Sequence, residues 1–263
     1  MQDKIVVITG ASMGIGAALA RQLGQQRAIP VVVARSRMEL DAVAAEAHPL
    51  ALAIVADVTQ RADVQRVVAE TLARFGRIDA WVNNVGRGIS RPVLQLTDDD
   101  IDAMMAVNVK SALYGMQAVM PHFQERGVGH IINVSSMLGR IPFASVRSAY
   151  SASKAFLNSL TINLRMDLRT DYPHIHVSTV YPGVVATEFG LRALGGGHDS
   201  RQFPGAATPE EIADAIVGCL LRPRADVYTR PGQHAQVAAY FAAEDVATVE
   251  AGFGGPPVGK PRG

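Results

Sequence analysis

A chain of 263 residues and 28.0 kDa can bury a sizeable core, and 48% hydrophobic with 19% charged residues is the make-up of an ordinary globular protein. A formal net charge of +1 without a basic block gives no electrostatic support for nucleic-acid binding. Cys219 stands alone, which excludes an intramolecular disulfide and a thiolate zinc site and fits a reducing cytoplasm.

The first apolar burst, Ile5-Val6-Val7-Ile8, is too short to span a membrane and lacks a signal-peptide cleavage site, so a soluble, cytoplasmic protein is expected. It reads as a strand. The glycine-rich turn Thr9-Gly10-Ala11-Ser12-Met13-Gly14-Ile15-Gly16 leads from it into a helix over 14–26. Glycines there permit a tight turn and let backbone N–H groups approach a diphosphate at the positive helix end. Further strands are expected at 31–33, 52–55, 80–82, 131–134, 176–180 and 226–229, several of them apolar without alternation, as in parallel strands covered on both faces. Helices are expected between them at 37–47, 60–75, 98–123 and 150–169. Thr97-Asp98-Asp99-Asp100 offers a capping hydroxyl and three acids, and Thr208-Pro209-Glu210-Glu211 a complete capping box before the helix ending near Leu221. This alternation predicts an α/β fold, a doubly wound parallel sheet of about seven strands with helices on both faces. Without an internal linker, one domain over 1–250 is expected, followed by a mobile Gly/Pro tail over 251–263.

Tyr150 and Lys154 carry the most chemistry. Four residues apart in a helix-favouring segment, they share one helical face, and an ammonium group beside a phenol favours the phenolate. Such a tyrosine can give or take a proton at an alcohol or ketone oxygen. His174 and His176 suggest a metal pair only in spacing, since no carboxylate or thiol stands at ligand distance; no metal site is expected.

Together these motifs resemble the short-chain dehydrogenase/reductase family, a Rossmann-fold family, in family order over residues 4 to about 190. Thr9-Gly10-x-x-x-Gly14-Ile15-Gly16 resembles its nucleotide-binding turn, which brings in Ser12 and Met13 as well. Asp57-Val58 resembles its adenine-contacting pair, and Asn83-Asn84-Val85-Gly86 its Asn-Asn-Ala-Gly signature, with Val85 for the usual Ala. Pro182-Gly183-Val184-Val185-Ala186-Thr187 resembles the loop that touches the nicotinamide. Asn108, Ser136, Tyr150 and Lys154 match the catalytic tetrad. Ser135 is the alternative serine, but neighbouring side chains on a strand point opposite ways, and Ser136 fits better. The resemblance implies hydride transfer between the nicotinamide and a ketone or secondary alcohol. In it Tyr150 is the general acid/base, Ser136 steadies the carbonyl oxygen, Lys154 lowers the tyrosine pKa and holds the ribose, and Asn108 anchors a proton-supplying water chain. A non-catalytic dinucleotide-binding scaffold or redox sensor is the rival from another class, and such proteins typically lose the tyrosine or lysine.

For the cofactor, Ala34 stands where NAD-preferring relatives carry an acid, and Arg35 follows it. A guanidinium suits a 2′-phosphate, so NADP(H) is favoured over NAD(H), with Arg37 or Ser36 assisting. Met13 stands where many NADP-preferring relatives have a basic residue. Residues 187–207, with Gly195-Gly196-Gly197 and the apolar Phe189, Leu191, Leu194 and Phe203, read as a greasy lid; Met137, Leu138, Ile141 and Phe143 are expected to line the pocket beneath it. A hydrophobic ketone or alcohol is the expected substrate. The alternatives are a 3-oxoacyl thioester and, with NAD, an alcohol or hydroxysteroid. Arg87, Arg91, Arg140 and Arg147 flank the mouth and suit an anionic group. The loop 140–148 is one residue longer than in many relatives. The helices at 98–123 and 150–169 resemble the pair through which the family dimerises, which implies a homodimer or homotetramer. No Val-Asp-Gly-Gly ending follows the last strand; an Ala-rich helical stretch takes its place.

Overall fold

A computed structural model describes residues 1–252, so all but the first two residues of the expected tail lie outside the described residues. Seven parallel strands form one sheet in the order β3-β2-β1-β4-β5-β6-β7. They are β1 (Ile5–Thr9), β2 (Ile29–Ala34), β3 (Leu52–Val55), β4 (Ala80–Asn83), β5 (Gly129–Val134), β6 (Ile175–Tyr181) and β7 (Asp226–Tyr228). Around them lie α1 (Gly14–Gln25), α2 (Arg37–Ala47), α3 (Arg61–Phe75), α4 (Asp98–Met105), α5 (Ser111–Arg126), α6 (Ser148–Leu168), α7 (Pro209–Leu221), α8 (Gln233–Ala242) and α9 (Val246–Glu250).

The period of two sorts each strand's side chains into two cores. Val6 and Ile8 of β1 and Val32 of β2 point to the layer of α1, α2 and α7; Ile5, Val7, Val31 and Val33 point to the layer of α3, α5 and α6. Every residue of β1 and β2 is buried, which explains why these strands read as unbroken apolar runs. Each fully buried Val or Leu contributes about 1.5–3 kcal/mol of transfer free energy. The capping box expected at Thr208 is present, with Thr208 accepting from the Glu211 N–H, and the expected cap Thr97 forms a capping box too, accepting from the Asp100 N–H.

The sheet order reverses between β1 and β4. At such a switch point the crossovers leave in opposite directions and open a crevice beyond the carboxyl ends of the strands. The glycine turn after β1, Asn84 after β4, Ser135-Ser136 after β5 and Pro182 after β6 all stand on that edge.

One expected helix is two. The stretch 98–123 is α4, then a π-helical turn over Ala106–Lys110, then α5, which runs on to a left-handed Gly127. A π turn inserts one extra residue without any change in apolar pattern, so periodicity does not betray it. Its effect is local: Asn108 is turned fully inward, toward the crevice edge.

Candidate active site

The first helix begins on bare backbone. Met13 precedes α1 with no side-chain cap, and no acid stands in the first turn, so the N–H groups there are available to an anion. Gly10 and Gly14 adopt positive φ of 68° and 53° to bring the turn round. At Gly16 a Cβ would lie 2.3 Å from the Gly10 carbonyl oxygen, so this position is closed to other residues unless the turn moves. Asn84 donates to the carbonyls of Thr9 and Gly10, both at 3.1 Å, and so holds the turn against the end of β4. Val85 packs by its side chain against Gly10, and Thr187 packs against Gly14, which sets the 182–187 segment against the turn at one end of the cleft.

At the other end of that cleft, Tyr150 is 7% exposed. It shares a hydrogen bond with Ser136, whose Oγ also accepts from the Leu138 N–H at 3.1 Å. Ser135 points the other way and donates to Asn158 Oδ1 at 2.6 Å. Lys154, 3% exposed, donates to the Val134 carbonyl at 2.9 Å, and its Nζ lies 5.9 Å from the centre of the Tyr150 ring. Gly86 sits beside it: a Cβ there would come within 3.4 Å of both Lys154 Nζ and Asn108 Oδ1. Asn108 grips the main chain of Arg87 in both directions, accepting from its N–H at 2.8 Å and donating to its C=O at 3.0 Å, and reaches Ser153 Oγ at 3.0 Å. Its amide ties the 86–88 loop to α6.

Burial dominates the electrostatics. Tyr150 is pushed up to about 12 by desolvation, against which the Ser136 hydrogen bond and the Arg147 guanidinium act. Lys154 is pushed down to about 8 by desolvation. The expected lowering of the tyrosine by Lys154 therefore does not prevail in the chain alone, because both groups are removed from water and the lysine's bond goes to Val134.

With this geometry in view, the family is settled by one comparison: the short chain dehydrogenase model matches residues 4–193. The chain belongs to the short chain dehydrogenase family. An uncharacterized oxidoreductase of Staphylococcus epidermidis is 32% identical over 230 residues, 85% of this chain and 93% of its own. The closed form of a serine dehydrogenase complexed with NADP+ is similar at 29% identity and a TM-score of 0.79, covering 85% of this chain and 93% of its own. A 3-ketoacyl-(acyl-carrier-protein) reductase from Brucella melitensis complexed with NADH is similar at 27% identity and a TM-score of 0.76, covering 87% and 98%. Both of these neighbours hold a nicotinamide dinucleotide, and no helix among the described residues of this chain is long and apolar enough to cross a membrane.

Several expected contacts of the dehydrogenase are placed differently. Val58 turns its side chain into the core, Asp57 Oδ1 is occupied by the Thr59 N–H and hydroxyl, and the Asp57 N–H donates to Asp63, so this pair can offer a cofactor the Val58 backbone and one remaining carboxylate oxygen. Met137 and Ile141 are buried with Tyr181, Val237 and Tyr240, and Phe143 packs on the same cluster; α8 draws them away from the crevice. Leu138 alone of the four joins the cluster around Tyr150, with Ile89, Met104, Phe189 and Leu194. In the lid, Phe189 meets the Tyr150 ring edge-on at 5.4 Å, whereas Leu191 and Phe203 face solvent. Arg91 pairs with Asp100 at 3.2 Å, and Arg140 lies over the Tyr181 ring with its buried Nε making no hydrogen bond among the described residues. His174 precedes β6 and does not share a strand face with His176, whose ring instead meets that of His130. Sequence reasoning missed the buried ladder beneath the site, in which Asn83 donates to Asn133 at 2.8 Å and Asn133 to Thr161 at 2.9 Å. Two asparagines at the ends of apolar strands were the available signal.

A buried cation costs stability. Below pH 8 both folded and unfolded chains carry the Lys154 proton, and the burial penalty is fully present; between pH 8 and 10.5 only the unfolded chain keeps it, so the penalty falls as pH rises. A displacement from 10.5 to about 8 is worth roughly 3 kcal/mol, less the hydrogen bond to Val134. Lys154→Met is therefore expected to gain about 1–2 kcal/mol in urea unfolding at pH 7 while losing activity. A clear loss of stability would show that the buried ammonium holds the fold.

Proposed function

We propose that the chain transfers a hydride between NADP(H) and a ketone or secondary alcohol with an apolar body. The observation that carries this reading is the convergence of Ser136, Tyr150 and Lys154 at one end of the cleft whose other end is the uncapped start of α1. The site residues are Asn108, Ser136, Tyr150 and Lys154 for the reaction. Gly10, Ser12, Met13, Gly14, Ile15, Gly16, Arg35, Asp57, Val58, Asn84, Val85, Gly86, Pro182, Gly183, Val185 and Thr187, with Tyr150 and Lys154, serve the dinucleotide. When bound, the reduced dinucleotide supplies the hydride. Ser136 donates to the carbonyl oxygen as negative charge develops there, and Tyr150 delivers its phenolic proton to the same oxygen. In the oxidative direction Tyr150 takes that proton back. The walls of Ile89, Met104, Leu138, Phe189 and Leu194 exclude water and favour an apolar substrate body.

Arg35 supports NADP(H). It stands exposed after the buried Ala34, with no acid partner among the described residues, while Arg37 is taken up by Asp41 and Ser36 by Glu39. A homo-oligomer built on the α4–α5 and α6 faces and one domain over 1–250 complete the proposal.

A panel of neutral ketones against 3-oxoacyl thioesters, followed by loss of NADPH absorbance, tests the substrate class. Neutral ketones with apolar side groups are expected to turn over; turnover of the thioesters alone would sink the reading and favour the 3-oxoacyl alternative.

A further inference from the structure

We infer that Arg147 is a carboxylate receptor, so that the substrates this dehydrogenase prefers carry an acid group two to four bonds from the reacting carbon. The inference rests on the hydride-transfer reading and deepens it. Arg147 caps the start of α6, three residues before Tyr150. Side chains at that spacing are neighbours on one helix face, with Cβ atoms about 5–6 Å apart. The guanidinium is half-buried between the 86–91 loop and the lid. A Cβ on Gly88 would lie 3.0 Å from its Nη1 and 3.0 Å from Phe189 Cε1, and a Cβ on Gly197 would lie 3.0 Å from its Nη2. Two glycines thus leave it space, beside the phenylalanine that meets the Tyr150 ring.

Among the described residues it has no counter-ion. Its one side-chain hydrogen bond there runs from Nη1 to the Ile89 carbonyl at 3.3 Å, whereas a guanidinium has five N–H donors. Of the other basic groups of the mouth and lid, Arg91 pairs with Asp100, Arg192 with Glu188 and Arg201 with Asp199, while Arg140 lies over the Tyr181 ring with its Nε buried and without a hydrogen bond among the described residues. Arg87 is exposed, with a single bond to the Arg192 carbonyl. A cation withdrawn from water without an acid is costly unless the acid arrives with a ligand. Burial indeed presses Arg147 toward its neutral form, the sign of an uncompensated charge. A carboxylate matches the planar fork of Arg with two parallel hydrogen bonds, which also fixes the substrate's direction relative to Tyr150. The apolar wall around Leu138 and Leu194 would then take the opposite end.

The test is oxidation of 3-hydroxybutanoate and 4-hydroxypentanoate by the full chain with NADP+, each against its methyl ester, read as the acid-to-ester ratio of kcat/KM. The parent is expected to favour at least one acid, and Arg147→Gln to lower that ratio about 20-fold through KM, the loss of one charge-assisted contact. Arg147→Lys should restore part of it, and Arg169→Gln, on the far end of α6, should leave the ratio as in the parent. A parent without preference for either acid overturns the inference, as does an Arg147→Gln variant that slows acid and ester equally, which would make the residue a strut for the lid. If no acid or ester is oxidised, the hydride-transfer reading fails for this class. Calorimetric titration of 3-hydroxybutanoate into parent and Arg147→Gln protein then decides the receptor separately: equal binding, or none to either, overturns it.

Discussion

Tyr150→Phe is expected to lower kcat for ketone reduction about 10³-fold while leaving NADPH affinity within a few-fold of the parent. The phenylalanine keeps the ring that packs against Phe189 and the surrounding apolar cluster, so the fold and the cleft survive. It removes the one hydroxyl that meets Ser136, and general acid catalysis at a single position is typically worth 10²–10⁴-fold. Because burial holds the phenol protonated far above neutrality and Lys154 keeps its proton below about 8, the parent's reduction rate should be flat between about pH 6 and 7, and its oxidation rate should climb with pH as phenolate becomes available. Stopped-flow measurement of single-turnover rates checks both. Parental kcat in the variant would remove Tyr150 from the reaction.

Arg35→Ala should weaken NADPH about 100-fold and NADH by less than about twofold. The argument is one of charge and position. Arg35 leaves the end of β2 with its guanidinium in solvent and no acid partner among the described residues, and a fork of N–H donors on a phosphate dianion is worth about 1.5–3 kcal/mol. NADH lacks that phosphate, so the same substitution has nothing to remove. Glu39, the acid in the first turn of α2, is hydrogen-bonded by Ser36 and kept ionised, which by itself would repel a phosphate; the selectivity therefore hangs on Arg35. Fluorescence titration with both reduced cofactors checks it, and an equal loss for the two would end the case for a 2′-phosphate contact.

Which parts of this protein can be read from residues alone follows from the range of the interactions concerned. The strands and their order of appearance are legible because burial on both faces demands continuous apolar runs such as Ile5–Thr9, and the two threonine caps because they are strictly local. Ser136 is separable from Ser135 because a strand alternates its side chains. The π turn at Asn108 is invisible, since it changes hydrogen bonding without changing the apolar pattern. Met137, Ile141 and Phe143 look like pocket lining until α8, from the divergent C-terminal stretch, covers them. The four arginines of the mouth are equivalent in sequence; only tertiary contacts show that Arg91 pairs with Asp100, that Arg140 lies over the Tyr181 ring and that Arg147 stands without an acid among the described residues. The strength of the Tyr150–Lys154 pair is hidden for the same reason: spacing reports proximity, whereas the pKa values are set by how completely both groups leave water.

Diffraction from crystals grown with NADP+ and a non-reacting carbonyl compound would place the phenol and the pyridine ring relative to each other. The Tyr150 hydroxyl is expected within hydrogen-bonding reach of the carbonyl oxygen, about 2.6–3.2 Å, with nicotinamide C4 about 3–3.5 Å from the carbonyl carbon. A nicotinamide lodged away from Tyr150, or a dinucleotide bound anywhere but between the Gly10–Gly16 turn and the 182–187 segment, would contradict the mechanism at its root.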